Sequence, residues 1–525
     1  MTTPAPQPAA PSPAQPYTIY APIAALVLGL WAEYLFFGQP LGINLFAFFA
    51  VGAVSLFLLA AQSKIRPARQ NFWLAGTALL LAAFAGIRAS QFTIILNTLA
   101  ALGVTAFWAY LFSSGDLRRF KLVDYFSAAI VASFEISLFR APGAFTSFFQ
   151  HVGGRQNSQR LGAVLRGLLL AAPLVIILTM LLTSADAAFN QAVGDLLRLV
   201  RLDNLPVVIG RVLFWAAAVW VSLGGLSFAL REINERDINK HNTPAAAEDL
   251  SKGSLGMTES GIVLGSVDAL FAAFVVIQFR YFFGGQANIS IAGFTYAEYA
   301  RRGFAELVVV ALFVLGLALM LHAVTRRSSR AEIMTFEGLS AVLIVLTGII
   351  LISAFRRLGL YEDAYGFTQL RTYTHIFIIL LGALLLAFLV CMHFSRADLF
   401  LFCVFVACLG FVATLNLLNT DAFIARQNIA RFQQSGKLDA AYLVSLSDDA
   451  IPALLPLLDS APAEERKIIG AGLHYRLDEL ESLRSKISWA GWNLASLQAY
   501  NQLQALRTQL EEYPAEKYEW SFPID

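Results

Sequence analysis

Charge is what this chain has least of. Only 14% of its 525 residues are Asp, Glu, Lys or Arg, against about a quarter in a soluble domain, so the chain lacks the polar surface to cover itself in water. Its formal net charge is +2, which gives no strongly basic face. That argues against nucleic acid as a partner, because phosphate binding needs Lys and Arg gathered on one exposed surface. Cysteine is scarce as well, at three residues. Cys391, Cys403 and Cys408 lie in or beside apolar runs without CxxC spacing, a pattern of small buried hydrophobes and not of a disulfide framework or zinc site. The six histidines are scattered, and no Walker GxxxxGK[ST], HExxH or GxSxG segment occurs. Nothing in the spacing implies a metal, a cofactor or a named reaction.

What the chain has in quantity is apolar length. Hydrophobic residues make up 57% and the mean hydropathy is +0.63. Apolar runs recur at 19–37, 42–61, 72–87, 92–112, 161–182, 207–230, 261–283, 303–324, 334–355, 375–392 and 399–417. Crossing the hydrocarbon as a helix takes about 20 residues, so the expected fold is all-α: a polytopic transmembrane bundle of about eleven spans. The stretch 125–139 is shorter, contains Glu135 and has basic flanks, which suits a helix lying in the interface.

The expected organisation follows from the composition along the chain. Residues 1–18 carry no charged side chain and a proline every second or third position, so they form a disordered, Pro/Ala-rich tail. It lacks the basic start of a secretory signal, which makes the first apolar run a retained span. A first transmembrane half covers 19–230, a charged cytoplasmic linker 231–260, and a second half 261–420. Residues 421–525 turn amphipathic, with Ser447 and Gly436 as helix start and stop signals, and should make a small helical bundle outside the membrane. Lys64, Arg66, Arg69, Arg326, Arg327 and Arg330 fall in loops on one side of an eleven-span chain. That side is therefore cytoplasmic, with the C-terminal domain extracytoplasmic in a bacterial inner membrane.

Polar residues inside or at the rim of the membrane are the candidates for function, because their burial is costly without a partner. Asp268 lies about two turns into its span, followed by Gln278 and Arg280; at that depth it must be protonated, paired or facing an aqueous cavity. In TYAEYARRGFAEL, Glu298, Arg302 and Glu306 share one helical face with Arg301 beside them. This is either an ion-pair ladder or an arginine pair set to receive an anionic group. In RRLGLYEDAYGFTQLRTYTH, Tyr361, Glu362, Tyr365 and Arg371 recur at helical spacing. These segments and the C-terminal domain should meet on one outer face.

The segments DALFAAFVVIQFRYFFGG, TYAEYARRGFAEL, RLGLYEDAYGFTQLR and IARQNIARFQQSGKLDAAYLVSLSDDAIPALL resemble a bacterial multi-pass membrane family catalogued as domain of unknown function 4173, with 4153 a near neighbour. The resemblance implies a multi-pass bacterial protein and supplies no activity. Three functions are then open: a sensor, scaffold or envelope assembly factor binding a partner or anionic ligand at the outer face; a secondary transporter using Asp268; or a membrane-embedded transferase or hydrolase. The absence of catalytic motifs and of an internal repeat favours the first. The implied partners are the lipid bilayer and, through residues 421–525, an envelope protein or lipid.

Overall fold

The structure is a computed structural model that describes residues 17–113, 205–230, 255–283, 304–394, 396 and 399–518, with parts of 171–193 and single positions near 117 and 141–144. Among these residues the protein is all-α. The sole β-type contact is one isolated bridge between Leu255 and Thr325.

Ten long helices occupy the expected apolar runs: α1 Tyr17–Phe36, α2 Ile43–Gln62, α3 Phe72–Ile87, α4 Gln91–Tyr110, α5 Leu205–Ala229, α6 Met257–Phe283, α7 Phe304–Val324, α8 Arg330–Tyr365, α9 Gln369–His393 and α10 Phe400–Leu418. Nine of the described helices are long and apolar enough to cross a membrane, and α1 contributes the shorter apolar helix Tyr20–Phe36. Their outward faces carry Leu30, Leu58, Leu99, Phe313 and Leu386, all more than half exposed. Such a continuous apolar surface needs a bilayer to cover it. Most of the expected span at 161–182, the interfacial segment at 125–139 and most of the linker at 231–260 lie outside the described residues; the end of that span, 178–182, is helical. The last residues of that linker belong to α6, which begins at Met257.

The spans form two packed groups. Helices α1–α5 enclose one core around Leu28, Leu74, Leu81, Trp108 and Leu223. Helices α6–α9 enclose the other around Leu264, Leu343, Leu351, Leu381 and Phe388. Helix α10 bridges them: its Phe400 packs into the second core and its Val412 into the first. Helix α1 lies tightly on α5, where a Cβ at Gly29 would stand 2.2 Å from the Val219 side chain. Small residues permit such approach where no hydrophobic force joins helices in lipid. Glu33 and Arg211 pair across the same seam at 2.9 Å.

Loop contacts sort the helix ends onto two faces. On one, Ala68 N–H donates to Phe112 O and Asn71 Nδ2 to Leu111 O. There too Arg326 N–H donates to Leu255 O, and Ser260 and Thr325 share a hydroxyl contact of 2.7 Å. This face carries Lys64, Arg66, Arg69, Arg326, Arg327, Arg330 and Arg396. The opposite face holds the short loops 37–42, 88–90 and 366–368, whose one basic residue is Arg88.

Helix α8 has 36 residues, about 54 Å at 1.5 Å per residue, well beyond the ~30 Å of hydrocarbon. Ser329 and Glu332 start it with a reciprocal capping box on the basic face. The surplus, from Arg356 to Tyr365, projects past the expected span end at residue 355 on the other face. There the C-terminal domain docks. It comprises α11 Thr420–Ser435, α12 Ala440–Ser445, α13 Ile451–Leu454, α14 Leu457–Ser460, α15 Ala463–Lys486, α16 Leu494–Ala505 and α17 Arg507–Leu510, around a core that includes Ile424, Leu443, Leu473 and Leu503. Gly436 ends α11 in the left-handed conformation.

Because Gly29 has no room for a side chain, Gly29→Leu should destabilise the α1–α5 seam by about 1–3 kcal/mol. The thermal midpoint of the purified protein in detergent reads this; an unchanged midpoint would contradict the packing described.

Candidate functional site

Most of the polar chemistry gathers where the span ends meet the C-terminal domain. Its centre is Asp449, at the start of α13, with its side chain 2% exposed. One carboxylate oxygen accepts from Ala89 N–H at 2.7 Å and Ser90 N–H at 3.3 Å. These amides lead into α4, so the acid caps that helix from another domain and complements its positive end. The other oxygen lies 3.3 Å from Arg88 Nη1. Arg88 Nε also donates to Asn416 O at 2.9 Å. In the orientation its neighbours dictate, the Asn419 amide closes the ring, accepting from Arg88 at 2.8 Å and donating to Asp449 at 3.2 Å. Burial pushes the Asp449 carboxyl up from its usual range, while the Ala89 N–H and the Arg88 guanidinium pull it back.

Below this ring, inside the spans, Asn97 and Asn416 exchange amide hydrogen bonds at 2.8 and 2.9 Å, both fully buried. They tie α4 to α10. A second acid, Asp421, accepts from Gln369 Nε2 at 2.8 Å and Ser447 N–H at 3.1 Å, spending on the α9 junction a carboxylate that could otherwise have capped α11. Gln369 N–H in turn donates to the Tyr442 hydroxyl at 2.9 Å, whose pKa burial raises further. The α1–α2 loop is held as well: Ile43 N–H donates to Trp492 O at 3.0 Å, and Ser488 N–H to Gln39 Oε1 at 2.7 Å.

The α8–α9 turn is clasped by α11. Asn428 exchanges hydrogen bonds with both backbone groups of Phe367 at 2.8 Å. Arg431 caps the end of α8 through the carbonyls of Asp363 and Ala364 at 2.8 and 2.6 Å. Gly366 has φ +87°, and a Cβ there would stand 2.7 Å from the Asn428 amide oxygen. Glycine is needed twice over, for conformation and for space.

Between the docked surfaces lie two adjoining cavities, of about 500 and 380 Å³, within the size range of ligand pockets. Gln369, Ser445, Arg476 and Glu479 line both. Arg476 is held by Asp448 at 3.3 Å and Glu479 at 2.8 Å. Four carboxylates, Asp421, Asp448, Glu479 and Glu516, face the cavities against two cations, Arg476 and Lys517. Tyr442, Tyr475 and Trp492 supply aromatic wall.

The residues singled out in the sequence are distributed differently. Glu298, Arg301 and Arg302 lie outside the described residues, as does the side chain of Arg280. Glu306 is exposed in the first turn of α7. Arg371 stacks its guanidinium over Tyr361 at 3.9 Å and donates to Gly366 O at 2.5 Å. Tyr365 is exposed, with its ring against Tyr361. Glu362 is buried and meets His375 Nδ1 at 3.0 Å. Tyr361, Glu362 and Arg371 thus brace the α8–α9 turn and line neither cavity. Gln278 accepts from Ser353 Oγ at 3.1 Å and Arg357 Nη2 at 2.9 Å, joining α6 to α8. Asp268 is buried within α6. Among the described residues no group of His, Cys, Asp and Glu could hold a metal ion.

Missed by the sequence were Arg88, Asn97, Asn416, Asn428 and Asp449. The available signal was an asparagine within each of two apolar spans, where amides are rare unless they bond across helices.

The fold defines a multi-pass α-helical membrane protein with a helical domain clamped onto one face of its spans. The chain belongs to the family described as Domain of unknown function (DUF4153), whose model matches residues 74–457, from the first bundle through the clamp. No curated protein and no solved structure matches it.

Removing one partner of a buried pair leaves an uncompensated charge, so Asp449→Ala should weaken docking by about 3 kcal/mol and lower the thermal midpoint in detergent. Gly366→Ala should cost about 1–3 kcal/mol in the same measurement. Wild-type midpoints in both variants would contradict the clamp.

Proposed function

We propose that the protein is a sensor or scaffold of a bacterial inner membrane, which holds a partner or ligand in the cleft between its span ends and its extracytoplasmic C-terminal domain. The observation that carries this is the cleft itself. Its walls come from α9 and the domain in one cavity, and from the loops 37–42 and 88–90 and the domain in the other. A ligand there would touch both halves of the clamp at once, so its binding energy could favour one arrangement of the spans.

The lining chemistry narrows the ligand. An excess of carboxylates over cations disfavours an anionic group, while hydroxyls, amides and aromatic faces suit a hydroxylated or amine-bearing one. The orientation rests on the basic residues of the short loops, which gather on the face away from the domain. The positive-inside tendency makes that face cytoplasmic.

Two experiments test the proposal. In a cysteine-free background, Glu464→Cys should react with an impermeant thiol reagent in intact spheroplasts, and Lys64→Cys and Arg326→Cys only after lysis. The reverse pattern would turn the cleft to the cytoplasm. A photo-crosslinking residue at Tyr475, within the cleft, should capture an envelope component in cells that the same residue at Glu464 does not. Identical adducts at both positions, or none at Tyr475, would count against a cleft ligand.

A further inference from the structure

Four helices of the second bundle share an interior band almost free of ionisable groups. Helix α7 has none between Glu306 and His322, and α8 none between Glu337 and Arg356. Helix α9 has only Cys391 between His375 and His393, close to its end on the basic face. Helix α6 has one between Glu259 and Arg280, and it is Asp268.

Asp268 does not sit on the lipid-facing side. It falls in the buried stripe Ser260, Leu264, Asp268, Phe271, Val275 and Gln278 that α6 turns to its neighbours, and it is 7% exposed. Neither carboxylate oxygen has a hydrogen-bond partner among the described residues. Helices α6 and α8 pack in parallel, with Gln278 meeting Ser353 and Arg357. Ten residues back, Asp268 is level with Leu343–Thr347 of α8. The one polar group there, the Thr347 hydroxyl, is spent on Leu343 O at 2.7 Å. The cation of Arg357 lies with Gln278, about 15 Å further along α6.

A carboxylate does not keep its charge in such a place: it has lost water and, among the described residues, gained neither a cation nor a donor. A carboxylic acid is tolerated there because it is neutral. We propose that Asp268 is a proton-binding site in the membrane interior, holding its proton in this arrangement of α6 and α8 and releasing it only when their seam admits water. The ligand is the proton itself. This stands apart from the cleft, on different helices and at a different depth.

Infrared spectroscopy of the full chain in lipid nanodiscs at neutral pH tests it. The spectrum should contain the carbonyl band of a protonated carboxylic acid, shifting in D2O and lost in Asp268→Asn, whose neutral amide should preserve the wild-type thermal midpoint. If that variant fails to fold, carbodiimide modification of the wild type, mapped by mass spectrometry, replaces it; an adduct at residue 268 that falls away as pH rises supports the site. Absence of the band and of the adduct in wild type would overturn the proposal, as would a band that survives in folded Asp268→Asn.

Discussion

The contact on which the rest of this structure leans is one aspartate from the C-terminal domain against the first turn of a membrane helix. Asp449 satisfies two backbone amides ahead of α4, and it neutralises Arg88 beside them. Arg88 in turn holds the Asn416 carbonyl near the end of α10, and the Asn97 and Asn416 amides lock α4 to α10 beneath. A helix start, a helix end, an intramembrane amide pair and a domain position are thereby fixed by one polar ring. Buried polar networks of this kind add little net stability over apolar packing, but their loss is costly once built. Their effect is to specify one docked geometry.

That geometry explains why the cleft exists. The domain touches the spans through loops 37–42 and 88–90, through the α8–α9 turn and through the direct continuation of α10 into α11. The loops are too short to fill the space between these contacts. What remains is lined by side chains from both sides, with Arg476 held between Asp448 and Glu479 as its polar divider. The second polar region of the molecule, around Asp268 and Gln278, lies in the other helix group. The two are linked through α9, whose start contacts the cleft at Gln369 and whose length packs on α8.

Much of the fold was legible in the sequence because the bilayer imposes a length. Apolar runs of span size coincide with helices within a few residues at 42–61, 72–87 and 399–417. The exceptions are instructive. Helix α8 runs on to Tyr365 because Arg356, Glu362 and Asp363 have partners or water beyond the membrane, so their polarity ends the span without ending the helix. Helix α9 begins at Gln369 for the same reason. The clamp was illegible for a different cause. Arg88 and Asp449 are 361 residues apart and ordinary in type, and nothing local marks either. By contrast Tyr361, Glu362 and Arg371 stood out through their density. That density serves a helix turn: Arg371 stacks on Tyr361 and Glu362 pairs with His375.

The domain clamp is tested most directly by amide hydrogen exchange at the span-end loops of the intact protein in lipid. Ile43, Ala89 and Ser90 are loop or helix-start amides, but each donates to the C-terminal domain and should exchange as slowly as docked structure opens. Exchange at the speed of an open loop, in protein whose spans remain protected, would mean that the domain does not sit where the Arg88–Asp449 ring places it.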